Sequence, residues 1–425
     1  MTSEEQRSEC FVYITLPSET ASVTAGRFVL SEDRYGNSLG QFVYGRSYLS
    51  NENKVELDPI ELKISSETYS ATRLQGVFGA LRDASPDYWG RRVIQKHAER
   101  SDLSEIDYLL ESPDDRAGAL SFGRNQQPPA PKKKFNQTLQ LANLQSTAES
   151  LIKDEVLETN HAVIQVKELI ALGTSMGGAR PKAVVEDELG LWIAKFNHPN
   201  DRWNVNRVEH AMLELARQCG ISAAISRIEN VAGKDILLVK RFDRERSSRG
   251  YYRARMVSGL TILRAEDSAL RRDRWSYVHL SEELRRVVSD PKKDAHELYR
   301  RMCFNALISN TDDHPRNHAL IAMDKKWHLS PAYDLTPSPA PSLEHRDLAM
   351  ECGDQGRFAN IDNLLSQHGR FLLERNEAEK IIRDMIERIT ALWFSVIRAQ
   401  GVTEKDADRI KSAFLYPGFF RKISD

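Results

Sequence analysis

The reading of this chain turns on Cys303-Phe304-Asn305-Ala306-Leu307-Ile308-Ser309-Asn310-Thr311-Asp312-Asp313-His314-Pro315-Arg316-Asn317-His318-Ala319-Leu320-Ile321. Its first part continues an apolar helical run, with Leu298, Met302, Asn305 and Ile308 or Ser309 spaced for one face. Ser309 to His318 is then densely polar, and Ala319 to Met323 is apolar again. Two buried-looking segments fix the ends of such a loop, so its charges are expected to do more than face solvent. Asp312 and Asn317 stand five positions apart, and a further carboxylate follows at Asp334 in Leu329-Ser330-Pro331-Ala332-Tyr333-Asp334-Leu335-Thr336-Pro337. Together they offer one candidate base, one neutral oxygen ligand and one anionic ligand. Hard divalent cations such as Mg²⁺ take oxygen donors of this kind.

A chain of 425 residues is long for one core, so two or three domains are expected. Hydrophobic content of 40% with 28% charged residues places it among ordinary soluble globular proteins. The net charge of -1 argues against a protein that coats polyanions. No apolar run approaches the roughly 20 residues needed to span a bilayer, and no signal-type apolar region follows the polar N-terminus. Cys10, Cys219, Cys303 and Cys352 lie far apart and form no metal-ligand pair. They read as unpaired thiols of a reducing compartment, so a cytoplasmic location without a membrane partner is expected.

Residues 1–125 read as a β-rich domain with a helical insertion. Cys10 to Leu16, Gly26 to Leu30, Gln41 to Tyr44 and Ile60 to Ile64 have strand composition. Ser85 is placed to cap a helix with Pro86 at its first position. Asp87 and Arg91 are spaced for a local ion pair on that helix. Asp115 to Phe122 reads as a turn entering a strand. Residues 126–165 form a linker and helical connection. It opens with Gln126-Gln127-Pro128-Pro129-Ala130-Pro131-Lys132-Lys133-Lys134, too rich in proline and like charge for a packed element. The lysines there read as a solubilising face, and Thr138 to Leu172 as helices.

Residues 166–242 read as a smaller α/β lobe. Gly173-Thr174-Ser175-Met176-Gly177-Gly178-Ala179-Arg180-Pro181-Lys182 leads into a hairpin whose second strand, Leu191-Trp192-Ile193-Ala194-Lys195-Phe196, presents a lysine between apolar neighbours. Glycines let backbone N–H groups approach phosphate oxygens, and Lys195 would neutralise them from a strand. Turns need glycine in any case, so it is the pairing with Lys195 that gives the segment weight. Val205 to Cys219 is an amphipathic helix with Val208, Met212, Leu215 and Ala216 on its apolar face and Gly220 as C-cap. Glu209 or Glu214 is placed either to hold Lys195 or to face solvent. Asp235 to Arg244 is an apolar strand ending in charge, suited to a hinge whose backbone faces an adenine. The arginines of 252–274 suit a substrate-facing or regulatory loop, or a solvated face. Residues 243–425 read as a helical lobe, with helices at Ile361 to Gln367, Glu377 to Gln400 and Glu404 to Phe414. The Asp312–Asn317 interval equals that between catalytic-loop base and metal-binding Asn in protein kinases.

With these pieces in order, nearly the whole chain resembles the HipA family of serine/threonine kinase toxins from bacterial type II toxin–antitoxin systems. Thr311-Asp312-Asp313-His314-Pro315-Arg316-Asn317 resembles the family's T-D-x-H-x-[KR]-N catalytic loop, and Ser175 to Lys182 its S-x-x-G-A-x-x-K phosphate loop. Tyr333-Asp334 is similar to its metal-binding Tyr-Asp, and Pro86 to Arg92 with Gly118-Ala119-Leu120 to signatures of its N-terminal domain.

The resemblance implies an α+β fold: an N-terminal β-rich subdomain followed by a bilobal protein-kinase-like fold with a mostly helical C-terminal lobe. It also implies ATP and Mg²⁺ as cofactors, with Asp312 as catalytic base and Asn317 and Asp334 as metal ligands. Lys195 would meet the α/β-phosphates, and Gly177, Gly178, Ala179, Arg180, Pro181 and Lys182 would line them. In the same reading Lys182 adds a second positive charge, and Lys240, Arg241 and Phe242 form the hinge beside adenine. His314, Pro315, Arg316, Asn317 and Tyr333 would complete the nucleotide site. Ser175 lies where the family autophosphorylates; charge added there would eject the loop from the ATP cleft. The implied partners are a HipB-like helix-turn-helix antitoxin, a protein substrate, and operator DNA only through the antitoxin complex. Two positions depart from the family pattern: Asp313, where glycine is common, and Lys240, where an acidic residue is common. Hinge contacts are mainly backbone, so Lys240 changes little, whereas Asp313 is expected to alter the charge around the metal.

Three other readings use the same residues. A small-molecule phosphotransferase shares the fold, since fold does not fix the acceptor. A non-catalytic co-repressor scaffold fits less well, because every expected catalytic position is occupied. A metal-dependent hydrolase built on Asp312, Asp313, His314 and His318 leaves Lys195, the glycine loop and Asp334 unexplained.

Overall fold

The computed structural model describes residues 7–421 except Arg34, Glu99, Ser101, Asp114, 131–135, 138–140, 153–179, Pro199, Ala269, Ala340 and Pro341. Ser175, Met176, Gly177, Gly178 and Ala179, the lysine run after Pro131 and most of the expected 138–172 helices therefore lie outside the described residues. The chain divides into two compact units. One comprises Met1–His198, Arg241–Val257 and Ile321–Lys326; the other comprises Pro199–Lys240, Ser258–Leu320 and Trp327–Asp425. The fold is α+β, sheet-rich towards the N-terminus and helical towards the C-terminus.

In the first unit, β1 (Arg7–Thr15), β2 (Ser22–Glu32), β3 (Ser38–Tyr44), β4 (Tyr69–Ala71) and β5 (Leu120–Gly123) form an antiparallel sheet in the order β4-β3-β2-β1-β5. Register places Cys10 opposite Phe28 and Phe28 opposite Phe42, so one face carries a continuous apolar column. Both phenylalanines are fully buried, and each such ring contributes roughly 1.5–3 kcal/mol by leaving water. Gly40 is required where β3 passes Gly76, because a Cβ there would meet the Gly76 carbonyl.

Three local expectations for this unit are corrected. Ile60 to Ile64 is not a strand. Buried Asp58 accepts from the amides of Ile60 (2.7 Å), Glu61 (2.6 Å) and Leu62 (3.3 Å) through one oxygen, and this local bonding replaces a sheet ladder. The helix expected from Pro86 starts later, at Tyr88–Ala98, and its cap is Asp87, which accepts from Gly90 N at 2.7 Å. Arg91 hydrogen-bonds Glu105 at 2.5 and 2.6 Å, and Asp87 adds only a weaker electrostatic attraction. The arginines after residue 252 also differ from a solvated face at two positions: Arg253 and Arg255 are buried, and Arg255 reaches Glu56 at 2.7 Å.

Lys182–Asp187 and Gly190–Lys195 form the expected hairpin, with Lys182 directly opposite Lys195. A buried charge node closes the unit. Asp243 accepts from Arg241 (2.9 and 2.7 Å), Arg244 (2.7 Å) and Gly118 N (2.9 Å). Burial pushes the Asp243 carboxyl upward, but the two arginines hold it well below the ordinary carboxylate range.

In the second unit the Val205–Gln218 helix buries the predicted Val208, Met212, Leu215 and Ala216, and Gly220 has φ +81 just beyond it. Asp235 anchors its start, meeting Arg207 (2.5 and 2.8 Å) and Asn204 (2.6 Å). Lys234–Lys240 pairs antiparallel with Ser226–Val231. The helical remainder follows the sequence pattern closely: Tyr277–Leu284, Pro291–Leu307, Ile361–Ser366, Arg375–Ala399 and Glu404–Ile410. No helix among the described residues is long and apolar enough to cross a membrane.

Burial raises the Asp58 pKa to about 6 from an ordinary value of 3.8. The folded state thus binds this proton more tightly than the unfolded chain. Its stabilising effect is complete below the unfolded pKa and is lost as pH rises through about 6. Asp58→Asn keeps an oxygen for the three amides and cannot ionise. Its stability relative to the unmutated chain should therefore rise by up to about 3 kcal/mol between pH 4 and pH 7. Denaturant titrations at both pH values check this, and a flat or falling difference would refute it.

Candidate active site

The predicted loop follows the Pro291–Leu307 helix, whose N-terminus is capped by Asp290 with Pro291 next in line. Ser309, at φ +50, turns the chain out of the helix. Its hydroxyl donates to Ala413 O at 2.6 Å and accepts from Arg346 at 2.6 Å, so the turn is held from two sides. The loop then tightens on itself: His314 N donates to Asp312 O (2.8 Å), Asn317 N to His314 O (2.9 Å), and Pro315–Asn317 forms one 3-10 turn.

The metal-ligand candidates converge. The Asn317 amide nitrogen donates to the Asp312 carbonyl at 3.4 Å, which turns its other atom, a neutral oxygen, into the candidate ligand. Tyr333 donates its hydroxyl to Arg316 O at 2.8 Å, tying the residue before Asp334 to the residue before Asn317. Ser330 N to Ala319 O (2.9 Å) and Ser338 N to Ser309 O (3.0 Å) lay the 330–338 segment along the loop. Asp334 has φ +60, a strained value for a side chain other than glycine, of the kind that clusters where function over-determines the backbone. The residues thus fit a hard cation by chemistry: one carboxylate and one amide oxygen, with a second carboxylate at hand.

Asp312 is exposed at the loop surface. Its pKa is raised chiefly by the protein that displaces water around it, and further by the carboxylates of Asp334 and Asp313; His314 and Arg272 oppose the shift. Asp334 therefore stands within electrostatic reach of Asp312.

Asp313 sits beside Asp312, and its charge helps to raise the Asp312 pKa. Its carboxylate turns inward and is buried, with Oδ2 accepting from the Tyr277 hydroxyl, from Asn305 Nδ2 at 2.6 Å and from His318 Nε2 at 2.8 Å. The Tyr277 and His318 rings meet edge to face at 5.5 Å. Asp313 and His318 are thus engaged by each other, which removes two ligands from the hydrolase reading. Tyr277 is the residue that sequence reasoning missed, since it lies far upstream with no spacing to mark it. Asn305 carried a signal: it is polar on an apolar helical face. Trp275 also escaped notice; its ring lies 6.1 Å from that of His314 and 5.3 Å under the Arg272 guanidinium.

The remaining candidates are placed as follows. The Lys240 N–H is bound by Ile225 O (2.7 Å) and the Arg241 N–H by Leu191 O (2.9 Å), so an adenine contact at the hinge falls to carbonyls or to the amides from Phe242 onward. The Arg241 side chain is buried on Asp243 and on the carbonyls of Asp115 and Arg116. Glu214 is engaged by Arg217 (2.7 Å) and Gln218 (3.1 Å), whereas Glu209 is buried on the same helix. Lys195 is half-buried on its strand, Arg180 is half-buried and Pro181 is buried. Lys182 is buried, with its ammonium 2.7 Å from Asp87 Oδ2.

Residues 174–393 match the model of the HipA-like C-terminal domain and residues 21–123 that of the HipA N-terminal domain. Y4mE of Sinorhizobium fredii, described as a candidate kinase, is 24% identical over 363 residues, covering 79% of this chain and 81% of its own length. Y4dM of the same organism, described likewise, is 28% identical over 240 residues, or 52% and 56% of the two chains. Among solved structures, a chain of the Shewanella oneidensis MR-1 complex of HipA, HipB and operator DNA matches with a TM-score of 0.67. It covers 94% of this chain and 95% of that one at 17% identity, a likeness of fold.

Asp313→Ala leaves three buried donors facing a void and should cost about 3–5 kcal/mol. Asp313→Asn retains an acceptor and should cost less, and Tyr277→Phe about 1–2 kcal/mol. Urea unfolding of the three variants checks the order. A loss below about 1 kcal/mol for Asp313→Ala would show that the inward cluster does not hold the loop.

Proposed function

The chain belongs to the HipA family, and we propose that it is an ATP-dependent serine/threonine protein kinase that also phosphorylates itself at Ser175. The observation that supports this reading is the Tyr333–Arg316 hydrogen bond, which ties the residue before Asp334 to the residue before Asn317 on the loop that carries Asp312. In this reading Asp312 accepts the proton of the attacking hydroxyl. A carboxylate whose pKa lies above the ordinary value is a stronger proton acceptor. Asn317 Oδ1 and the Asp334 carboxylate supply oxygen donors, and the bond from Asn317 Nδ2 to the Asp312 carbonyl fixes the distance between base and ligand. Mg²⁺ would be held by these two side chains, and with ATP bound it would supply positive charge against the phosphates. Lys195 adds a positive charge from a strand, and Gly177, Gly178 and Ala179 let backbone N–H groups approach phosphate oxygens. Lys240, Arg241 and Phe242 are the proposed hinge contacts to adenine, and His314, Pro315, Arg316 and Tyr333 are further proposed nucleotide contacts. Phosphate on Ser175 would add nearly two negative charges beside the glycines and expel the loop.

A small helix-turn-helix protein like HipB is the proposed antitoxin, supported by the assembly of the Shewanella oneidensis protein with HipB and operator DNA. Operator DNA is reached through that partner, and the phosphate acceptor is a serine or threonine of another protein. The names of the Sinorhizobium fredii relatives support kinase chemistry of some kind.

With Mg²⁺ and γ-labelled ATP, the unmutated chain should label itself at Ser175. Asp312→Asn should lower labelling by about 10²–10⁴-fold, the range of a lost general base. Ser175→Ala should lose self-labelling yet still transfer to an added protein acceptor. Full labelling by Asp312→Asn, or turnover of small alcohols alone, would defeat the proposal. The elevated Asp312 pKa also sets a pH dependence. The rate should fall with acid through a limb lying above the ordinary carboxylate value of 3.8. A profile flat down to that value would show that Asp312 is not the base.

A further inference from the structure

Lys182 and Lys195 stand directly opposite each other across their hairpin, so both side chains leave the same face of the sheet. Opposed like charges destabilise a sheet unless one is neutralised. The neutralising group is Asp87, the cap of the Tyr88–Ala98 helix, whose Oδ2 lies 2.7 Å from the Lys182 ammonium while its Oδ1 holds Gly90 N at 2.7 Å. Both side chains of the ion pair are almost wholly removed from solvent, at 3% and 4% exposure. An ammonium so placed is out of reach of a phosphate arriving from solvent. Its strand directly follows the glycine-rich segment, and its backbone is paired with that of Lys195.

Resting on the kinase reading above, we propose that Lys182 is a positioning residue, and that Asp87 is the counter-charge that fixes it. The helix cap of the N-terminal domain thereby sets the exit of the phosphate loop, and Lys195 alone is the lysine of this hairpin offered to the nucleotide. The N-terminal domain is on this account a working part of the ATP site. Asp87 serves both ends at once: its cap bond fixes the carboxylate in place, and the fixed carboxylate dictates where Lys182 sits.

The test compares Asp87→Asn, Lys182→Gln and the double variant of the full chain. Asp87→Asn keeps the helix cap, but its amide hydrogens then face the ammonium. Lys182→Gln leaves the carboxylate buried without its cation. The double variant restores a neutral amide–amide hydrogen bond of similar size. Each single change should raise KM for ATP about tenfold or more with little change in KM for the protein acceptor. The double variant should return to within about threefold of the unmutated chain. Amide exchange in Lys182–Asp187 should rise in each single variant and fall back in the double, a readout independent of turnover. If Lys182→Gln is as damaging in the Asp87→Asn background as alone, Lys182 touches the nucleotide and the inference fails. Unchanged exchange in both single variants also overturns it. An unmutated chain that transfers no phosphate would sink the kinase reading alone, with the exchange pattern still deciding the role of the pair.

Discussion

One oxygen, Asp313 Oδ2, receives Tyr277, Asn305 and His318 inside the helical unit, and the geometry of the candidate site rests on it. The three donors come from the Tyr277–Leu284 helix, the Pro291–Leu307 helix and the end of the loop itself. A carboxylate in such a place is tolerable only because its lone pairs are met by well-directed donors. The consequence is geometric. With residue 313 pinned inward, its neighbour Asp312 is turned outward to solvent. Asn317 is held by its bond to the Asp312 carbonyl, and Asp334 by the tyrosine before it. The loop therefore owes its shape to buried polar bonds more than to apolar packing, which leaves its outer face free for chemistry.

The sheet-rich unit handles buried charge by the same rule at two further places. Asp243 gathers Arg241, Arg244 and the Gly118 amide, which joins the segment after residue 240 to the turn before β5. Asp87 joins a helix start to the first strand of the 182–195 hairpin. Replacing one partner of such a pair would leave an uncompensated charge at a loss of about 3–5 kcal/mol, whereas exchanging both for neutral groups can be nearly free. Buried ion pairs of this sort do little for net stability; they specify which segments lie side by side.

Local patterns in the sequence were read correctly where one physical rule acted alone. The apolar face of Val205–Gln218, the positive-φ glycine after it and the helix–loop–strand sequence around Asp312 all follow from periodicity and turn chemistry. Errors arose where a side chain had two possible partners. Ile60 to Ile64 alternates like a strand, but the Asp58 carboxylate captured its amides first. Asp87 and Arg91 have helical spacing, yet Lys182 and Glu105 offered hydrogen-bonded partners from farther away. Asp313 looks like a second cleft carboxylate in sequence, and nothing local announces the tyrosine that draws it inward.

What the sequence determined by itself was the family, most of the local strand and helix pattern, and the residues that are candidates for base and oxygen ligands. Those features depend on residue type and spacing over one or two turns, which any reader of the chain can count. Tertiary structure decided which charges face solvent and which are neutralised: Asp312 outward and Asp313 inward, Lys182 bound to Asp87, Arg241 bound to Asp243. That division has a physical cause. Whether an ionised group is usable depends on burial and on partners tens of residues away, and these exist only once the chain has folded.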